Sequence, residues 1–87
     1  MLGYECVWDL DDDLEGNVQH IAEHGLTKED VENALDSTSE LEEQRSDSSD
    51  LPLVFGPAID GGTIVVVFDR IDDLKIYPVT AFRPTKR

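Results

Sequence analysis

Ile64-Val65-Val66-Val67-Phe68 constrains this chain more than any other stretch. Five consecutive apolar residues, four of them β-branched, are too few for a stable helix. They suit a strand buried on both faces, or one central in a sheet. Turn signals bracket the run, Asp60-Gly61 before it and Asp72-Asp73 after it. Strand-like segments flank it at 51–55 and 74–82, which predicts an antiparallel meander with residues 64–68 in the middle. Pro78 lies inside the last segment and cannot donate to a ladder. It therefore predicts an edge, a bulge, or a ring turned away from the middle strand.

The first half of the chain reads differently. Tyr4-Glu5-Cys6-Val7-Trp8 is rich in strand formers and predicts a first strand. Asp9 to Asp13 then supplies helix-start chemistry, because carboxylates accept from free backbone N–H groups and favour the positive end of the helix dipole. Leu14, Val18, Ile21 and Ala22 form one apolar stripe on a first predicted helix. Gly25 is its expected left-handed stop, with Leu26 folding back on Ile21. Thr27 is the next expected N-cap, Asp30 its capping-box partner, and Leu26 with Val31 a hydrophobic staple. Val31, Ala34 and Leu35 give the second helix its buried face. Few residues separate the two helices, so they should form a tight αα-hairpin. A mobile acidic, Ser-rich loop is expected at about 37–50, with one short extended piece near residues 40–44. The predicted architecture is α+β in two layers, in β-α-α-β-β-β order, with an antiparallel sheet carrying the helix hairpin on one face.

Eighty-seven residues make one domain, 1–87, with a core too small to enclose a large cofactor pocket, and no cofactor is expected. No apolar run approaches the ~20 residues of a spanning helix, so no membrane partner is expected. Residues 1–5 lack a basic region followed by a long apolar one, so no secretory leader is expected either. Cys6 is the only cysteine, which leaves no internal disulfide and fits a reducing cytoplasm. It reads as a small core residue. The net charge of −13 opposes broad nucleic-acid binding, but its distribution is uneven. Residues 1–50 carry −14 and residues 51–87 carry +1.

Few residues suggest chemistry. His20-Ile21-Ala22-Glu23-His24 matches the inverted zinc-protease pattern and puts both imidazoles on one helical face. A catalytic zinc also needs a third protein ligand and a substrate cleft, which so small a domain does not offer. The simpler reading leaves His20 exposed and has His24 close the helix near its negative end. Asp11-Asp12-Asp13 lacks the spaced ligands and glycine of a calcium loop and reads as a solvated helix start. Arg70 and Lys75 come close if Asp72-Asp73 is a two-residue turn, and with Arg83 they are expected to line one basic edge of the sheet.

Taken in order, Val7-Trp8-Asp9, Asn17, Glu23-His24-Gly25-Leu26-Thr27, Phe55-Gly56, the 64–68 run and Ile76-Tyr77-Pro78-Val79-Thr80-Ala81 resemble the BrnT family. These are small bacterial toxins with a RelE-like fold. The resemblance covers most of the chain in short pieces. It implies the toxin of a type II toxin–antitoxin pair, with RNA as substrate, a basic antitoxin as partner, and metal-independent cleavage. The family tends to carry an Arg after the Thr-Ala of the last strand; here Phe82 stands at that position and Arg83 follows. Arg83, Arg70, Lys75 and His24 are the residues expected to contact phosphate. The acidic balance supports a second expectation, a non-catalytic module that binds a basic protein. A third is a DNA mimic, which would need acids spaced like phosphates.

Overall fold

The computed structural model describes residues 5–37, 44–45 and 51–84. Its elements are β1 (Glu5–Cys6), α1 (Asn17–Ala22), α2 (Lys28–Asp36), β2 (Gln44–Arg45), β3 (Pro52–Pro57), β4 (Thr63–Arg70) and β5 (Lys75–Phe82). The strands form one sheet in the order β1-β5-β4-β3-β2. The architecture is α+β, with two helices packed on the sheet. The acidic loop expected at about 37–50 falls, apart from Ser37 and β2, outside the described residues.

β4 is central, as its composition requires. Ile64, Val66 and Phe68 join the core beneath the helices. Val65 and Val67 alternate to the other face and are only 3% and 8% exposed, so the strand is buried on both sides. Across the ladder on that second face lie Leu53 and Phe55 of β3 and Thr80 and Phe82 of β5. Ile21, Leu26, Val31, Ala34 and Leu35 supply the helical half of the core. Gly56 lets α2 approach β3 closely; a Cβ there would stand 2.5 Å from the Ala34 carbonyl oxygen.

The sheet departs from the antiparallel expectation at one margin. β1 pairs in parallel with β5, Glu5 opposite Lys75 and Cys6 opposite Ile76. The helices and the three strands that follow return the chain to β1 in the same direction, which a hairpin could not do. The sheet is therefore mixed. The short extended piece expected in the loop is β2, paired antiparallel with β3. Pro78 sits at a β-bulge: Val67 pairs with Thr80 and Phe68 with Pro78, leaving Val79 extra on β5.

The helix signals divide between the two helices. α2 has the full capping box, with Thr27 and Asp30 accepting from each other's backbone N–H groups. Gly25 has φ +77°. Gly25 N–H donates to Ala22 O and Leu26 N–H to Ile21 O, the paired bonds of the expected helix stop. α1, however, starts three residues later than the predicted stripe. Leu14 lies before it and is 80% exposed, and Ala22 is exposed. Residues 10–16 are spent in turns instead, closed by Asp13 N–H on Leu10 O and Gly16 N–H on Asp13 O.

Candidate functional site at the end of the last strand

The start of α1 is held by a polar knot that fixes everything downstream of it. Asn17 is 2% exposed and nearly all its hydrogen-bonding capacity is used. Its Nδ2 donates to Val7 O and Pro78 O, each at 2.9 Å, and its Oδ1 accepts from Asp9 N–H at 2.9 Å. Asp9 Oδ2 accepts in return from Asn17 N–H and from the Tyr77 hydroxyl. Asp9 therefore caps α1 from eight residues away, in place of an adjacent N-cap side chain. The Tyr77 hydroxyl, and then the Asn17 N–H, hold the Asp9 carboxyl below its ordinary range. The same contact, reinforced by burial, pushes Tyr77 up to about 12. Bonds from one Asn to both β5 and the chain after β1 lock α1 along the β5 margin of the sheet.

This placement sets His20 and His24 on an exposed face. Their ring centroids lie 5.7 Å apart. His24 also lies 6.3 Å from the ring of Phe82, the last residue of β5. Arg83 follows Phe82, and its Nη2 donates to Asp60 Oδ2 at 3.0 Å in the β3–β4 hairpin. Gly62 makes room for it, since a Cβ there would be 2.6 Å from Arg83 Nη1. Asp60 Oδ1 accepts from Gly62 N–H at 2.9 Å; that bond first, and then Arg83, lower the Asp60 carboxyl. The Arg83–Asp60 pair is solvent-exposed, a class that contributes only ~0–1 kcal/mol, so the guanidinium can turn to another anion at little cost.

Arg70 and Lys75 lie elsewhere. Both flank the β4–β5 hairpin, at the opposite end of β5 from Arg83. Eight strand residues at ~3.3 Å each separate Lys75 from Arg83 by roughly 26 Å. The expected single basic edge is thus two separate sites, because an antiparallel strand carries its two termini to opposite ends of the sheet. The hairpin also differs from the two-residue turn expected. Ile71 to Leu74 form the connection, Ile71 and Asp72 N–H both donate to Lys75 O, and Asp72 Oδ1 accepts from Leu74 and Lys75 N–H. Arg70 accordingly faces Ile76, and Lys75 faces Glu5, so the two cations are not opposed. The Arg70 guanidinium lies 5.9 Å from the Phe68 ring centroid. Of the four expected phosphate contacts, then, His24 lies near Phe82 and Arg83 follows it at one end of β5, while Arg70 and Lys75 lie at the other end.

Cys6 packs half-buried against the core. Burial first, then Glu32, Asp36 and Glu5, push its thiol up to about 12, so it holds little thiolate at neutral pH. Among the described residues no three His, Cys, Asp or Glu side chains converge as a metal-ligand set, and no helix is long and apolar enough to cross a membrane. Sequence reasoning passed over Asn17, Tyr77 and His20 as site residues. The four-residue spacing of the histidines is the sequence signal for His20. Nothing local marks Asn17 and Tyr77 as partners, because they meet through Asp9, 68 residues from Tyr77. Comparison of the chain with protein-family models, curated proteins and solved structures gives no match.

Proposed function

We propose that this protein is a BrnT-like, RelE-fold toxin of a toxin–antitoxin pair that cleaves RNA without a metal. The observation that carries the reading is the imidazole of His24 lying 6.3 Å from the ring of Phe82, the last residue of β5, with Arg83 next in the chain. Cleavage by the RNA's own 2′-hydroxyl needs a group to move protons and a cation to stabilise the charge on the phosphorane. Imidazole and guanidinium supply those two functions, and Phe82 offers a ring on which a base can stack. The α+β order, with two helices between the first strand and the meander, accords with a RelE-like arrangement.

The test is cleavage of RNA by the purified protein with chelator present. Arg83→Ala should slow it by about 100-fold, the scale of losing one donor to a developing oxyanion. Equal cutting by both proteins would remove Arg83 from the site.

A second reading has its own support. Leu10 and Leu14 are 76% and 80% exposed and flank Asp11, Asp12 and Asp13 in an ordered pair of turns. Exposed leucines interleaved with carboxylates suit an amphipathic basic segment of a partner protein. Absence of RNA cleavage, together with a salt-sensitive complex that Leu10→Ser and Leu14→Ser weaken, would favour this acidic binding module.

A further inference from the structure

His20 and His24 stand one helical turn apart, exposed, with ring centroids 5.7 Å from each other and their planes tilted by 56°. Both rings are exposed, and His24 lies 6.3 Å from the ring of Phe82, the residue before Arg83. Imidazole is the side chain whose ordinary titration falls between pH 5 and 8, so near neutrality one ring can accept a proton while another donates one. At this separation each ring can come within hydrogen-bond reach, ~2.6–3.2 Å, of a different oxygen of one phosphodiester.

We infer that His20 is a second catalytic residue, paired with His24 as general acid and general base for in-line cleavage of RNA. The inference rests on the ribonuclease reading above. In the step, one neutral imidazole takes the proton of the 2′-hydroxyl. O2′ then bonds to phosphorus, and the bond from phosphorus to O5′ breaks. The other imidazole, protonated at the start, gives its proton to the leaving O5′. The products are a 2′,3′-cyclic phosphate and a 5′-hydroxyl. The two rings exchange protonation states, and solvent restores them; no electron transfer is involved. Arg83, released from Asp60, faces the non-bridging oxygens.

The experiment uses the full chain and a short RNA with one cleavable linkage, in normal form and with sulfur in place of the bridging O5′. Thiolate leaves without protonation, so the sulfur substrate has no need of a general acid. On normal RNA, His20→Ala and His24→Ala should each lose at least ~100-fold in rate, the lower end for a proton-transfer group. On the sulfur substrate one variant should recover most of its rate and the other should not, which identifies acid and base. Both side chains are exposed, and unchanged thermal midpoints would show that neither variant acts through the fold. Full activity of His20→Ala on normal RNA, with unaltered protein active, overturns the pairing and leaves the ribonuclease reading standing. Loss without rescue in either variant overturns the acid role. An unaltered protein that leaves both substrates intact overturns the ribonuclease reading and the pairing together.

Discussion

Asn17 shows how much one side chain can carry. It joins the segment after β1, the start of α1 and the bulged part of β5, and removing it leaves the Val7 and Pro78 carbonyls and the Asp9 N–H without their partner. Buried groups so orphaned cost ~1–3 kcal/mol each when water cannot reach them. Asn17→Ala should therefore destabilise the protein by about 2–4 kcal/mol in urea unfolding, at the high end for a point change. The Asp9–Tyr77 contact predicts a particular pH dependence. Asp9 is depressed when folded, so its contribution is present above its ordinary value of 3.8 and is lost as pH falls below it. Tyr77 is raised from 10.0 to about 12, so its contribution is intact below 10 and is lost as pH climbs through that window. Thermal midpoints of Tyr77→Phe should lie below those of the unaltered protein between these limits and converge with them above pH ~12. The tyrosine ultraviolet titration near pH 12 should vanish in that variant.

Among the elements, the two helices owe their order to different sources. α2 is nine residues with a capping box, and that signal is local. α1 has six residues, short of what an isolated helix needs, and relies on Asp9, Asn17 and the Gly25 stop. Two glycines separate the local effect from the tertiary one. Gly25→Ala meets no atom within 4 Å but must hold φ +77°, which should cost about 1 kcal/mol. Gly56→Ala has ordinary backbone angles but drives its Cβ into the Ala34 carbonyl, and should cost about 1–3 kcal/mol by prising α2 off β3. Chemical denaturation of both variants checks the ranking. A larger loss at Gly25 would mean that α2 can shift freely on the sheet. The capping box, the Gly25 stop and the turn at Asp60-Gly61 were legible because each is decided within about six residues. The late start of α1 was not, because its cap comes from eight residues upstream and is steadied by a tyrosine on another element.

Across the whole molecule, the charge of −13 sets the field in which any site must work. Self-repulsion opposes compaction, so stability should rise with salt up to about 0.15 M, where screening acts over ~8 Å. If RNA is the substrate, kcat/KM should rise over the same range, against the usual loss of nucleic-acid affinity with salt. A steep fall would show that Arg83 and its neighbours, rather than the overall field, govern encounter. The amino-acid order alone was enough to identify the central strand, the helix pair and a small α+β core, because burial pattern and turn chemistry act over short stretches. It also listed the scarce cations and the histidine spacing. Which of them share a site was decided by strand direction and sheet order. An eight-residue strand puts Lys75 and Arg83 at opposite ends, while a knot of long-range hydrogen bonds lays α1 beside β5 and sets His24 near Phe82. Contacts between residues more than sixty positions apart have no local signature, so only the folded chain could select one end of β5 over the other.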